Sequence, residues 1–289
     1  MTTPVEGFAL DRAALARAFD RAGAHYDAAA ALQRQVRAEL LERLRYFALE
    51  PHCILDLGAG TCQAAPALRR RFPAARVLAV DLAPGMLKAA PRSLWPRRRF
   101  ERICADAYAL PLADHSVELI FSNLMLQWCD QLPRVFRELA RVLTSGGLLL
   151  FSSFGPDTLQ ELRAAWAAAD AGVHVSEFAD LPLLGAALMQ AGLTEPVLDI
   201  ERHRLHYPSA LVLMRELQRI GARNAASSRA RGLTSRARLQ RMLDAYEGLR
   251  GPAGLPATYE VVYGAAFGAA AGRRAAGEHV VPLSALRTR

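Results

Sequence analysis

The sequence predicts an α/β fold built on a doubly wound parallel β-sheet, and three features of the chain support this prediction. Short apolar runs alternate with helical patterns between residues 52 and 153, which is typical of successive βα units. The first run ends in a glycine-rich turn at residues 58–60, and an acidic residue accompanies each of the first three runs at its end. Open α/β sheets bind their ligands at this edge.

Length and composition agree with one large α/β domain and room for an appended subdomain. The chain has 289 residues, of which 52% are hydrophobic and 22% are charged, as in globular proteins. No apolar run approaches the ~18 residues of a membrane-spanning helix. The N-terminus lacks the charged and then apolar pattern of a signal peptide. We therefore expect no membrane association and a cytoplasmic location.

The net charge of +8 favours an acidic partner. All of the 36 basic residues except Lys88 are arginine, however, and alanine is abundant. A nucleotide bias across a genome would produce the same pattern, so both explanations stay open at this level.

The sequence predicts no metal site and no disulfide framework. The four cysteines show no CxxC spacing, and the close histidine pair His203 and His206 lies in a predicted strand.

The N-terminal segment, residues 8–49, has a helical pattern that is interrupted at residues 23–27. Two helices ahead of the first strand are not needed to build a sheet, so they can close over its ligand-binding edge as a lid. Tyr26 would then lie near the reacting groups. Packing of this ring between the two helices is the alternative.

Residues 52–57 are predicted to form the first strand, with the apolar run Cys53-Ile54-Leu55 and Leu57 buried in the sheet. Gly58 and Gly60 allow a tight turn and a close approach to a ligand. A helix over residues 61–71 should follow, with Thr61 near its N-terminus.

The acidic residues identify the cofactor expected at this turn. The dinucleotide fingerprint requires a third glycine where this chain has Gln63, and Asp56 would repel a pyrophosphate. S-adenosylmethionine carries a sulfonium and an ammonium group and no phosphate, so an acid is favourable there. Asp81, ~20 residues further on, is suited to the ribose hydroxyls, and Asp106 to the adenine amino group. Capping of βα turns is the alternative role for such acids.

The following elements continue the alternation, with short connections. Further strands are predicted at residues 76–81, 100–104, 117–122 and 147–153, with helices at 84–91 and 131–143. The loop after the strand at 117–122, which is the fourth strand of the chain, is expected to face cofactor and substrate together. There Asn123 can hold a polar group, while Leu124 and Trp128 form either an apolar wall or part of the core.

The C-terminal half is predicted to add helices at 158–170 and 180–191, a strand at 196–206, an arginine-rich helical insertion and a last strand at 258–263. The predicted organisation is an N-terminal helical lid (1–50), a cofactor-binding Rossmann-like core (51–207), a helical substrate-side insertion (208–250), and the last core strand with a C-terminal tail (251–289).

Residues 52–153 resemble class I S-adenosylmethionine-dependent methyltransferases through Asp56-Leu57-Gly58-Ala59-Gly60, Asp81 and Asp106. More narrowly, residues 12–284 resemble the malonyl-acyl-carrier-protein O-methyltransferase family of biotin biosynthesis. The narrower motifs include Tyr26-Asp27, Ser122-Asn123-Leu124, Phe154-Gly155-Pro156-Asp157-Thr158, Gly221-Ala222-Arg223-Asn224 and Thr258-Tyr259-Glu260. One departure is Gln63 with its neighbours, where relatives often carry a further glycine.

The resemblance implies a mostly parallel sheet with an antiparallel last strand, and methylation of the free carboxylate of malonyl-acyl carrier protein or malonyl-CoA. A carboxylate with a pKa of ~4 is already ionised at neutral pH, so this reaction needs positioning and desolvation rather than a base. The substrate is expected to be positioned by Tyr26, Asn123, Arg215 and Arg223, with a surface charge as the alternative for each arginine. The arginine-rich insertion can recruit the acidic carrier protein.

The residues expected to bind S-adenosylmethionine are Asp56, Gly58, Ala59, Gly60, Asp81, Leu82, Met86, Asp106, Ala107 and Asn123. Two other functions stay open. One is a protein-modifying or non-catalytic assembly factor of the same fold. The other is a nucleic-acid methyltransferase, which is disfavoured because no Asn-Pro-Pro-Tyr-like loop and no aromatic-rich basic stripe is present. We expect no nucleic-acid partner.

Overall fold

The computed structural model describes residues 10–90, 100–222, 224 and 234–269. Three helices precede the sheet: α1 (Arg12–Ala22), α2 (Tyr26–Ala29) and α3 (Ala31–Arg43). The next elements in the chain are β1 (Cys53–Leu57), α4 (Ala65–Arg71), β2 (Arg76–Asp81), α5 (Pro84–Ala89), β3 (Glu101–Cys104), β4 (Val117–Asn123) and α6 (Leu132–Val142). They are followed by β5 (Leu143–Phe154), α7 (Gln160–Ala167), α8 (Leu181–Gln190), β6 (Thr194–Tyr207), α9 (Ala210–Arg219), α10 (Arg236–Glu247) and β7 (Leu255–Phe267).

The seven strands form one sheet in the order β3-β2-β1-β4-β5-β7-β6. The pairs from β3 to β5 are parallel, whereas β7 pairs antiparallel with both β5 and β6. The prediction of a mostly parallel sheet with an antiparallel last strand is therefore confirmed. The strand order reverses between β1 and β4, and ligands bind at the carboxyl ends of strands beside such a point.

Helices cover both faces of the sheet because its strands carry apolar residues on both sides. In β1, Ile54 and Leu55 are both fully buried, and they point to opposite faces. One face packs against α3, α4, α7, α9 and α10, and the other against α6 and α8. In α3, Val36 and Leu40 are completely buried, so this helix belongs to the core.

The helix after the glycine turn begins later than predicted, at Ala65 and not at residue 61. Cys62 has φ 57°, in the left-handed region, which a right-handed helix cannot contain. Residues 61–64 therefore extend the turn before α4 starts.

Strands β5 and β7 exceed their predicted lengths by the most residues. Strand β5 starts at Leu143 because Gly146, with φ +71°, allows an irregularity that keeps Leu143 paired with Val117. Strand β7 extends from residue 255 to 267 because it has a partner on each side.

The described part of the insertion contains α9 and α10, between β6 and β7. Met242 and Tyr246 of α10 are fully buried, in the cluster that also contains Trp166 of α7. No helix in the described residues has the length and apolar character needed to cross a membrane.

Candidate cofactor and substrate site

A large cavity lies at the carboxyl ends of β1, β2 and β4, with an empty volume of about 1610 Å³ that includes its opening. Its floor includes the glycine turn and the acidic residues after β2 and β3. Helix α1 contributes Leu15 and Phe19 to one side, and α9 contributes Leu217. The cavity therefore lies between the sheet edge and helices from the N-terminal segment and from the insertion before β7.

The glycine turn approaches the cavity with its backbone. Gly58 has φ +68° and Gly60 has φ +55°, and both line the cavity. A Cβ on Gly58 would overlap the side chain of Met125, and one on Gly60 would lie 3.3 Å from Met86 Cε. Conformation and space thus both require glycine at position 58.

Asp81 stabilises the turn from the neighbouring strand. Its carboxylate accepts hydrogen bonds from the backbone N–H of Gly60 at 2.8 Å and of Ala83 at 2.8 Å. Burial raises the pKa of Asp81, and these N–H donors oppose the rise. Asp81 lines the cavity, so its carboxylate can also accept from a ligand.

Asp56 is a buried residue of β1 that does not line the cavity, and Ala59 does not line it either. The Asp56 side chain is only 2% exposed, and its Oδ2 has no hydrogen-bond partner among the described residues. Burial and, to a smaller extent, the charge of Asp81 together raise the pKa of Asp56 to about 7, and the charge of Arg37 opposes this rise. An unpartnered buried carboxylate oxygen is costly, and a cationic ligand group would satisfy it.

Asp106 lines the cavity and forms an ion pair with Arg12 of α1. Its other oxygen accepts the backbone N–H of Tyr108 at 3.0 Å, and the Arg12 guanidinium lies 4.4 Å from the centre of the Tyr108 ring. The third acid therefore also holds the N-terminal helix. Three more of the predicted cofactor contacts line the cavity: Leu82, Met86 and Ala107.

Asn123 and Tyr26 line the same cavity. The Asn123 Nδ2 donates to the backbone oxygen of Gln33 at 3.2 Å, and its Oδ1 accepts from Ser152 Oγ at 3.1 Å. Burial raises the pKa of Tyr26, and the charges of Asp81 and Asp27 raise it further. The Tyr26 hydroxyl therefore stays protonated at neutral pH and can donate a hydrogen bond.

The apolar wall after β4 is present. Leu124 and Trp128 both line the cavity, and the Trp128 ring packs edge-on against Phe19 at 5.4 Å between ring centres. This wall joins the loop after β4 to α1.

The two arginines predicted to position the substrate have different outcomes. Arg215 is exposed and lines a second cavity beside the first, not the first cavity itself. Arg223 lies outside the residues that the structure describes.

Two functional features were missed from the sequence. Asp27 of α2 accepts from Thr61 Oγ1 at 2.6 Å and from Gln63 Nε2 at 2.8 Å, so it clamps the turn that follows the glycines. Its position next to Tyr26 in a quoted motif was the available signal.

The second missed feature is His174, which lines both cavities. Its ring stacks on Trp166 with 3.8 Å between ring centres, and its Nε2 lies 2.7 Å from Asp170 Oδ1. This hydrogen bond lowers the pKa of Asp170. The two residues lie in irregular chain after α7, where sequence periodicity gives no signal.

The described residues contain no group of three or more His, Cys, Asp or Glu side chains arranged to hold a metal ion.

Solved structures share the fold at low sequence identity. The YcgJ protein from Bacillus subtilis superposes with a TM-score of 0.57 at 16% identity, covering 82% of this chain and 99% of the other. A SAM-dependent methyltransferase from Thermotoga maritima, titled a possible histamine N-methyltransferase, gives 0.52 at 15% identity, covering 88% and 99%. The fold is that of class I methyltransferases, as predicted.

Sequence comparisons are more specific. A family model described as "Methyltransferase domain" matches residues 55–151. The malonyl-[acyl-carrier protein] O-methyltransferase of Gallionella capsiferriformans is 46% identical over 266 residues, covering 90% of this chain and 92% of the relative. The protein of the same name from Methylovorus sp. is 47% identical over 268 residues, covering 91% and 90%. Because this similarity extends over almost all of both chains, the protein belongs to the malonyl-[acyl-carrier protein] O-methyltransferase family.

Proposed function

We propose that this protein transfers a methyl group from S-adenosylmethionine to the free carboxylate of a malonyl group on acyl carrier protein. The product is the malonyl methyl ester that starts pimeloyl and biotin synthesis, and malonyl-CoA is the alternative substrate. The observation that carries the proposal is the whole-length identity to relatives of that name.

The residues at the sheet edge fit S-adenosylmethionine. The unpartnered Oδ2 of Asp56 suits its ammonium group, and the backbone of Gly58 and Gly60 leaves room for a close approach. Asp81 is proposed to accept from the ribose hydroxyls and Asp106 from the adenine amino group, and both carboxylates line the cavity. Ala59 and Leu82 flank these contacts in the chain, and Met86, Ala107 and Asn123 complete the proposed site. When bound, the cofactor supplies an electrophilic methyl group on a sulfonium.

The chain must orient a nucleophile that is already charged, because a carboxylic acid is ionised at neutral pH. The protonated hydroxyl of Tyr26 is one donor to a carboxylate oxygen. The Asn123 amide is a second, because Gln33 takes only one of its two N–H groups. Leu124 and Trp128 exclude water, which strengthens both interactions and favours the uncharged ester product.

The helices of the N-terminal segment and of the insertion are proposed to roof this site. Leu15 of α1 and Leu217 of α9 line the cavity from the N-terminal segment and from the insertion. A roof that opens would admit the substrate, and closure would exclude water during transfer.

Transfer of label from S-adenosylmethionine tests the proposal. Malonyl-acyl carrier protein should acquire label that mild base releases as methanol, as a methyl ester does, whereas acetyl-acyl carrier protein should acquire none. Cofactor binding without transfer to the malonyl form would contradict the proposal and favour an assembly factor of the same fold.

A further inference from the structure

A second cavity adjoins the proposed active site. It shares five lining residues with the first cavity: Leu162, His174, Leu217, Ala222 and Asn224. Its empty volume is about 1690 Å³, including its opening. The two cavities therefore adjoin, and His174 lines both.

The second cavity runs from a buried end to the surface. Leu162 and Trp166 are 3% and 6% exposed, whereas Val173 and Leu211, which also line it, are 39% and 37% exposed. Met214 adds a further apolar side chain to the wall. The second cavity thus forms a partly apolar passage from solvent toward the residues that it shares with the first cavity.

Two arginines and one carboxylate, that of Asp170, line this passage. Arg215 and Arg238 both line it. Arg215 has no ion pair among the described residues, and Arg238 lies 3.9 Å from Asp170. The Asp170 carboxylate is already engaged by His174 and by the backbone N–H of Gly172. The two guanidinium groups can therefore bind an anion from solvent.

A macromolecular carrier cannot enter the first cavity, so its acyl group must reach the site on a thin tether. We propose that the second cavity receives the phosphopantetheine arm of the carrier protein, with apolar walls along the pantetheine chain and Arg215 and Arg238 at its phosphodiester. This inference rests on the proposed function, and it assigns the acyl-carrier substrate a route into the active site. It gives Arg215 a phosphate partner in place of the malonyl carboxylate.

The phosphate contact is tested with Arg215→Gln and with Arg219→Gln as the matched control. Arg219 is an exposed arginine of the same helix that does not line either cavity. With malonyl-CoA as substrate, Arg215→Gln should raise KM about tenfold, as loss of a charge-assisted hydrogen bond does, and Arg219→Gln should leave it unchanged. With malonyl-pantetheine, which has no phosphate, Arg215→Gln should match wild type. Equal losses with both substrates would overturn the phosphate assignment.

The passage itself is tested by obstruction. Leu211→Trp narrows the second cavity, and Leu183→Trp places the same ring at a similarly exposed position on α8. Leu211→Trp should reduce kcat/KM for malonyl-acyl carrier protein at least about tenfold, while a short malonyl-N-acetylcysteamine thioester should be methylated at the wild-type rate. Unchanged turnover of the carrier substrate would overturn the inference. Failure of wild type to methylate any malonyl thioester would instead overturn the proposed function.

A binding measurement makes the test independent of turnover. A cysteine introduced as Met214→Cys should be alkylated several-fold more slowly in the presence of phosphopantetheine, followed by the mass of its peptide. Leu183→Cys should be alkylated at the same rate with and without it. Absence of protection at position 214 would contradict occupancy of this cavity by the arm.

Discussion

At the residue scale, Gly58 illustrates how backbone conformation and space act together at the ligand edge. Its φ of +68° is unfavourable for any side chain, and a Cβ there would displace Met125. Gly146 has a similar φ of +71°, but a Cβ there meets nothing within 4 Å. A substitution at Gly146 therefore introduces backbone strain alone, whereas one at Gly58 also changes the space at the ligand edge.

We predict that Gly58→Ala abolishes measurable binding of S-adenosylmethionine, whereas Gly146→Ala retains it. Both variants should lose about 1 kcal/mol or more of folding stability, because each forces alanine into the left-handed region. Isothermal titration calorimetry and thermal denaturation measure the two effects. Wild-type affinity in Gly58→Ala would show that the turn does not hold the cofactor.

Asp56 makes folding stability depend on pH. Its pKa of about 7 in the folded protein lies above the ~3.9 of an unfolded chain, so the folded state binds the proton more tightly. The stabilising contribution of protonated Asp56 is therefore fully present below pH ~4. As the pH rises, this contribution to the free energy of unfolding falls by up to about 1.4 kcal/mol per pH unit until the folded pKa is passed. Asp56→Asn, which cannot ionise, should flatten this part of the stability curve in urea denaturation at pH 5 and pH 8.

The same ionisation should couple to cofactor binding. An ammonium group at Asp56 favours the carboxylate and releases its proton, so the Kd for S-adenosylmethionine should fall by up to about tenfold per pH unit between pH 5.5 and 7. Asp56→Asn should bind more weakly and without this pH dependence, although it is at least as stable as wild type at pH 8. A pH-dependent affinity retained in Asp56→Asn would assign the proton to another group.

At the scale of elements, the N-terminal helices are attached to the ligand edge through polar contacts from separate parts of the chain. Asp27 binds Thr61 and Gln63 beyond the glycine turn, and Arg12 pairs with Asp106. Asp20 also accepts the backbone N–H of Gly85 at the start of α5, at 2.5 Å. These contacts therefore connect the N-terminal helices to the proposed cofactor site.

We predict that Asp27→Ala increases the dissociation rate of S-adenosylmethionine about tenfold, because two hydrogen bonds to the turn are lost. Glu42→Ala is a suitable control, since Glu42 is exposed, forms an ion pair with Arg45 and does not line the cavity. Stopped-flow displacement measures both rates. Identical rates in the two variants would mean that α2 does not restrain the turn.

At the scale of the whole molecule, the net charge of +8 is opposite in sign to that of an acidic carrier protein and would attract it. We predict that KM for malonyl-acyl carrier protein rises as NaCl increases from ~0.05 to ~0.5 M, because salt screens exposed charges beyond a Debye length of about 10 Å at 0.1 M. KM for malonyl-pantetheine should change little in the same series. A parallel rise for both substrates would indicate that the arginine content does not serve carrier recruitment.

Much of the fold is determined locally and was therefore available from the sequence. The apolar runs place β1, β2, β4 and part of β5, because a buried parallel strand needs apolar residues on both faces. The glycine turn and the acids Asp81 and Asp106 follow from these strand ends, since the carboxyl ends of parallel strands meet at one edge. Both acids line the observed cavity.

Only the tertiary structure determines the contacts between residues that are far apart in the chain. The pairing of Arg12 with Asp106 spans 94 positions, and the bond from Thr61 to Asp27 spans 34. The structure also shows that Asp56 does not line the first cavity and that Arg215 lines a second one. Periodicity encodes which face of an element is buried. It does not encode the paths of the irregular segments between elements, and these paths determine which side chains meet at the site.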